Sequence, residues 1–123
     1  PNINNPINLD VNNLPWDIGE YSGVFTANTL HIMGKAEIEN MFLGIAQSLL
    51  SKGILCVYGP FNYNGKYTSE SNERFDGWLK KRDPQSGIRD FEWVNSLAKN
   101  IGLELVQDYA MPANNRLLVW RMK

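Results

Sequence analysis

A cluster of polar side chains follows a short apolar segment in the first third of the chain. The residues that come after Val24 and Phe25 include Thr26, Asn28, Thr29 and His31. An imidazole titrates near neutral pH and can accept a proton from a substrate. An asparagine amide both donates and accepts hydrogen bonds, so it can orient a ligand. The cluster therefore predicts a general base at His31 and a positioning residue at Asn28; the alternative for His31 is a purely structural histidine.

Strands and helices alternate around this cluster. Gly23–Leu30 reads as a strand, and Lys35–Ser51 reads as a helix because its apolar residues are spaced three and four apart. Gly53 stands where a helix-terminating glycine belongs. Ile54–Tyr58 is a near-continuous apolar run, typical of a strand covered on both faces. This alternation predicts a parallel α/β sheet, in which ligands bind beyond the carboxyl ends of the strands.

The second half of the chain continues the pattern. Residues 6–11 read as a short strand. Ser69 or Ser71 is expected to cap a helix running to about residue 81, with Phe75, Trp78 and Leu79 facing inward. Asp90 is expected to cap a further helix that Gly102 ends. Residues 103–109 and 116–121, joined by a turn at 112–115, predict an antiparallel hairpin.

Composition limits the classes of function. The 123 residues fit one domain, and a net charge of −1 gives no indication of nucleic-acid or membrane binding. No segment resembles a signal peptide, so we expect a cytoplasmic protein. Cys56 and His31 are the only cysteine and histidine, which excludes a disulfide within the chain and a Cys/His zinc site. We expect no metal, and we expect Cys56 to be inert core.

Several motifs point to a family. They are NTLHIM at 28–33, YGPF at 58–61, the Ser71–Asp76 segment, RDP at 82–84 and GIRDFE at 87–92. With the order of the elements, they resemble the carboxyl-terminal half of class I methyltransferases, which use S-adenosylmethionine, and within these the methyltransferase-like protein 26 family. The resemblance implies an α/β, Rossmann-like sheet with a final antiparallel hairpin, and methyl transfer to a small-molecule acceptor in the intact protein.

The resemblance also implies which parts are missing. The family sheet has the strand order 3-2-1-4-5-7-6, and residues 6–11 would correspond to strand 3, Gly23–Leu30 to strand 4 and Ile54–Phe61 to strand 5. Strand 1, which ends in the glycine-rich cofactor turn, and strand 2 have no counterpart, and no G-x-G occurs. We therefore expect one partial domain over residues 1–123 that does not hold a complete cofactor site by itself.

The resemblance assigns roles to individual residues. Those expected near S-adenosylmethionine are Asp10, Val11, Asn28 and Leu30. Those expected near the acceptor are Tyr58, Phe61, Asn72, Asp76, Arg82 and Arg89, with the two arginines able to clamp an anionic group. The alternatives are a turn at Asp10, a core-to-loop transition at Tyr58 and Phe61, and an Arg–Asp network that only holds the loops.

Removal of strands 1 and 2 leaves one side of strand 4 without a partner. An exposed apolar edge favours association. We expect the edge either to pair with a second copy, giving a homodimer, or to be covered by the rest of a longer protein. This leaves a second functional class open: a non-catalytic interaction module. A hydrolase has almost no support, since no nucleophile elbow is present.

Overall fold

The computed structural model describes residues 9–123. The chain forms two sheets. A two-stranded sheet consists of β3 and β4, and a four-stranded sheet of β1, β2, β5 and β6. In chain order, the strands are β1 (Tyr21–Ala27), β2 (Leu49–Gly59), β3 (Phe61–Asn62), β4 (Arg89–Asp90), β5 (Leu103–Met111) and β6 (Asn115–Met122). The helices are α1 (Lys35–Ser48), α2 (Glu70–Arg82) and α3 (Phe91–Asn100), with short 3-10 turns at Leu30–Ile32 and Pro112–Asn114.

The larger sheet has the order β1-β2-β6-β5. β1 and β2 are parallel, whereas β6 is antiparallel to both β2 and β5. This order corresponds to strands 4-5-7-6 of the sheet that the resemblance implies. The predicted α/β fold class and its final antiparallel hairpin are therefore confirmed.

The core lies on one face of this sheet. Alternate residues of β2 and β6 are buried there, and they pack with the apolar sides of α1 and α3. Trp120 is fully buried, meets Phe42 edge to face at 6.4 Å, and donates its indole N–H to Asn95 Oδ1 at 2.9 Å. A buried indole N–H needs such a partner, so this bond secures α3 to the sheet.

The junction of α1 and β2 differs from the prediction. The helix ends at Ser48, the strand begins at Leu49, and Gly53 lies inside the strand. A register irregularity in the β1–β2 pairing falls beside this region, with Lys52 in the left-handed region at φ 68°. A side chain at Gly53 would meet the Leu50 carbonyl at 2.8 Å. Gly53 therefore allows the close backbone approach at this irregularity of the strand, and it does not end the helix.

Three further expectations, one about a strand and two about burial, are wrong. Leu9–Val11 do not form a strand, and the rest of that predicted strand lies outside the described residues. Trp78 is 51% exposed, although Leu79 is buried as expected. β2 is fully covered on one face only, which leaves Cys56 half-buried on the other face. The remaining helices and the hairpin agree with prediction, including the Ser69 cap, whose hydroxyl accepts from the Asn72 N–H, and the end of α3 before Gly102. Asp90 lies at the N-cap position of α3 as predicted, but its side chain makes no capping hydrogen bond.

The segment before β1 is held by one aromatic contact. Trp16 packs directly on Gly44 of α1, where an added Cβ would lie 2.0 Å from its ring. Its indole N–H donates to the Val11 carbonyl at 3.1 Å. A helical glycine thus provides the space in which the tryptophan joins residues 11–16 to α1.

β1 forms one edge of the sheet. Within residues 9–123, no strand pairs with its outer side, and Phe25 in its middle is 67% exposed. None of the helices in this part of the chain is long and apolar enough to span a bilayer.

Candidate functional site

A cavity of about 480 Å³ opens where β1 and β2 end. We call it the strand-end cavity. Its lining comes from the loop after β1, the end of β2, the first turns of α2 and the turn of the β5–β6 hairpin. The lining residues are Asn28, His31, Pro60, Ser71, Asn72, Phe75 and Ala113–Asn115. The cavity therefore lies at the carboxyl edge of the parallel pair, which is the usual ligand position in α/β sheets.

Asn28 is fixed at the tip of β1 by its backbone. It takes the left-handed conformation at φ 56°, which asparagine tolerates better than most residues. Its N–H donates to the Tyr58 carbonyl at 2.9 Å and so extends the β1–β2 pairing by one step. The backbone is therefore rigid at the point where the Asn28 side chain lines the cavity.

His31 is the titratable group of this cavity. It lies in the 3-10 turn after β1 and is only 7% exposed. Its ring meets Phe75 edge to face at 5.4 Å, and its backbone carbonyl accepts from the Gly87 N–H at 2.9 Å. Within residues 9–123, no group hydrogen-bonds to its ring nitrogens. Burial lowers the pKa of the imidazole, so the ring is neutral at pH 7 and has a nitrogen able to accept a proton.

The opposite wall joins α2 to the hairpin. The Asn72 amide donates to Thr68 Oγ1 at 3.0 Å and to the Asn114 carbonyl at 3.3 Å. The Asn114 amide in turn donates to Ser71 Oγ at 3.2 Å. Neither the turn residues nor Phe75 was expected at a site. Ala113 and Asn114 both have positive φ, so this turn has a specific backbone conformation. In the sequence, only the turn-forming residues of Pro-Ala-Asn-Asn indicated it.

A second, more polar cavity of about 290 Å³ lies between the start of α1, the end of α2 and the β3–β4 pair. We call it the polar cavity. Its lining includes Lys35, Asn62, Tyr67, Asp76, Lys80, Ile88, Arg89, Asp90 and Trp93. Only Asp76 and Arg89 of these were predicted as site residues.

Asp76 is a buried hub in the polar cavity. Its carboxylate accepts from the Tyr67 hydroxyl, from the Ile88 N–H at 2.8 Å and from Lys80 Nζ at 2.9 Å. Burial alone would raise its pKa, but these hydrogen bonds outweigh burial and the pKa is lowered. The Ile88 bond ties α2 to the loop before β4, the Tyr67 bond ties it to the segment before α2, and Lys80 lies within α2 itself. These contacts hold the loops in place, but within residues 9–123 neither Arg82 nor Arg89 forms an ion pair with Asp76, so they are not the Arg–Asp network of the alternative.

The structure does not bring the two predicted clamp arginines together. Arg89 lines the polar cavity, where Nη2 donates to the carbonyls of Met33 at 2.6 Å and Gln85 at 2.5 Å. Arg82 stacks on Trp78 at 4.8 Å and lines a different cavity. The two arginines therefore cannot clamp one group in this arrangement.

Other predicted site residues are not among those that line the strand-end cavity. Leu30 and Phe61 are buried in the core, at 5% and 1% exposure. Tyr58 is half-buried, and its hydroxyl accepts from the Asn115 amide at 3.3 Å. Asp10 is exposed, and its side chain accepts from the Asn12 N–H at 3.0 Å. This bond is typical of a residue that starts a turn, which was the alternative for Asp10. The Val11 carbonyl accepts the hydrogen bond from the Trp16 indole N–H that is described above. Within residues 9–123, no three His, Cys, Asp or Glu side chains cluster as metal ligands.

A family model described as a protein of unknown function, DUF938, matches residues 1–122. Among solved structures, an O-methyltransferase family protein from Burkholderia thailandensis is 16% identical, with a TM-score of 0.77 over 94% of this chain and 33% of its own. CalO1, a methyltransferase in calicheamicin biosynthesis in its SAH-bound form, is 12% identical, with a TM-score of 0.70 over 86% and 31%. A pericyclic reaction enzyme is 15% identical, with a TM-score of 0.72 over 89% and 28%.

These likenesses establish the fold. The chain matches the carboxyl-terminal part of a methyltransferase and spans about a third of the length of the structures it resembles. A pericyclic enzyme shares the same fold, so function must be argued from the site.

Proposed function

Because the chain belongs to the DUF938 family and has the fold of the carboxyl-terminal part of methyltransferases, we propose that it contributes to methyl transfer from S-adenosylmethionine. The acceptor is a small molecule, and the reaction belongs to the whole protein. We further propose, from the motifs at 28–33, 58–61, 71–76, 82–84 and 87–92, that the whole protein resembles the methyltransferase-like protein 26 family.

One observation carries this proposal: a buried, neutral histidine lines a cavity at the carboxyl ends of β1 and β2. Bound S-adenosylmethionine would supply an activated methyl group. Methyl transfer then depends mainly on alignment of the acceptor and, where the acceptor carries a proton, on a base. His31 is the proton acceptor, and Asn28 orients the reactants through its amide.

The described residues fit one side of the cofactor. Asn28 lines the strand-end cavity at the tip of β1. In the methyltransferase fold that this chain resembles, the cofactor lies on this side. The other expected contacts are weaker: Leu30 is buried, and Asp10 and Val11 are not among the residues that line this cavity. The outer side of β1, where strand 1 of the fold would bring its glycine-rich turn, is open in residues 9–123. We infer that this chain provides the acceptor side of the site and only part of the cofactor side.

Calorimetric titration of S-adenosylhomocysteine tests the proposal. It should be carried out with this chain and with the native protein including any residues that precede Pro1. We expect binding by the longer protein and weak or no binding by this chain. In the longer protein, His31→Ala should retain this affinity and lose methyl transfer to a panel of small phenols and acids that the unaltered protein methylates. Binding by neither protein would overturn the proposal, and unchanged turnover of the variant would remove His31 from the mechanism.

The exposed edge of β1 supports a second candidate, a non-catalytic interaction module. Phe25 is 67% exposed on β1, whose outer edge has no partner within residues 9–123, and a strand of another chain can extend the sheet there. A stoichiometric partner on this edge, together with no cofactor affinity in the longer protein, would favour this function.

A further inference from the structure

The polar cavity has no role in the proposed methyl transfer, and its charges are only partly compensated. Among the groups lining it are three cations, Lys35, Lys80 and Arg89, and two carboxylates, Asp76 and Asp90. Lys80 pairs with Asp76 at 2.9 Å. Within residues 9–123, neither Lys35 nor Arg89 forms an ion pair. The two remaining positive side chains, Lys35 and Arg89, therefore share the cavity with only one further carboxylate, that of the exposed Asp90.

The cavity also contains polar atoms without partners. Asn62 is only 9% exposed, and its Oδ1 makes no hydrogen bond within residues 9–123; the same is true of the buried Arg89 Nε. Unpartnered buried polar atoms are rare because each has lost its hydration without replacement. Both atoms are covered by neighbouring protein atoms, so they belong to the wall of the cavity and a ligand does not reach them while the wall keeps this arrangement.

The Arg89 guanidinium is held in place before any ligand binds. Arg89 is fixed by its bonds to the Met33 and Gln85 carbonyls. Lys35 Nζ lies 5.5 Å from the Trp93 ring centroid, so an indole face forms part of the same wall. Burial lowers the pKa of Arg89, and a bound anion would offset that loss of hydration.

We propose that the polar cavity is a binding site for a small organic anion, a carboxylate or a phosphate ester. Arg89 and Lys35 bind the anionic group, and Trp93 covers the apolar part of the molecule. The volume of about 290 Å³ suits a molecule of this size. The site is separate from the strand-end cavity, and its occupation does not depend on methyl transfer.

An NMR titration of the chain without cofactor tests this. The probes are lactate, glycerol 3-phosphate and inorganic phosphate, with ethylammonium chloride as a cationic probe at equal ionic strength. We expect saturable shifts of the Asn62, Ile88 and Arg89 amides and of the Trp93 indole. Preference for lactate or for the phosphate probes identifies the anionic group. No saturable shift at these positions with any anion, or stronger binding of ethylammonium, would overturn the proposal.

Matched variants make the test specific. Lys35→Gln and Arg89→Gln should each weaken binding by about tenfold, the effect of losing one charge-assisted hydrogen bond. Arg82→Gln removes the same charge from a different cavity and should change affinity by less than about twofold. Lys35 is exposed at the first position of α1, so its replacement leaves the fold intact even where Arg89→Gln does not. Unchanged affinity in Lys35→Gln would overturn the assignment.

Discussion

His31 is the only histidine in the chain, so its titration can be followed without interference from another imidazole. Burial lowers its pKa below the ordinary 6.5. The unfolded chain therefore binds this proton at a higher pH than the folded chain, and the free energy of unfolding falls as the pH drops below 6.5. We expect that decrease to begin as the pH falls through about 6.5 and to end at the lower pKa of the folded chain, and we expect His31→Gln to remove it.

Urea unfolding of both proteins measures the difference, and the ring proton resonance reports the pKa directly. A ring pKa at or above 6.5 in the folded chain would contradict the burial argument.

Residue types in the sequence predict which side chains carry chemistry, but not which of them meet. His31 and Asn28 line one cavity as predicted, because both follow the same strand end. Arg82 and Arg89 lie in different cavities, since one belongs to the last turn of α2 and the other to β4. Such separations depend on the path of the intervening loop, which no periodicity in the sequence encodes.

Two helical glycines provide a matched test at the scale of the element. A Cβ at Gly44 of α1 would overlap the Trp16 ring, whereas nothing lies within 4 Å of a Cβ at Gly77 of α2. We expect Gly44→Ala to destabilise the fold by about 1–3 kcal/mol through overpacking. Gly77→Ala should stabilise it by up to about 1 kcal/mol through helix propensity.

Denaturant unfolding measures both changes, and tryptophan fluorescence should report displacement of Trp16 only in the first variant. Equal effects of the two substitutions would show that the Trp16 contact does not hold the segment before β1.

Helix and strand types were predictable because apolar spacing distinguishes them, and the hairpin followed from a turn-rich junction. The boundary between α1 and β2 was not. The chain passes from Ser48 to Leu49 without a loop, and the irregularity lies inside the strand near Gly53. A glycine after an apolar helix is more often a terminator, so the local signal favoured the wrong position.

At the scale of the molecule, the outer edge of β1, which no strand of residues 9–123 covers, should govern association. Phe25 and Tyr21 are exposed along it, at 67% and 40%. We expect the 123-residue chain to associate as its concentration rises, and we expect Phe25→Lys to suppress this because a charge on an edge strand opposes pairing. Leu43→Lys is the control, since Leu43 is 49% exposed on α1 and away from the edge.

Sedimentation velocity distinguishes the two variants. A chain that stays monomeric at all concentrations, or equal suppression by both substitutions, would show that β1 is not the contact surface.

The position of β6 has a consequence for synthesis. Residues 115–122 are made after β5, yet they lie between β5 and β2 and pair with both. On the ribosome, β2 and β5 therefore cannot join one sheet until the hairpin has turned back and its second arm has emerged. One edge of β2 stays open while residues 60–114 are translated. The β1–β2 pair can form before then, but the four-stranded sheet is complete only when β6 inserts between β2 and β5.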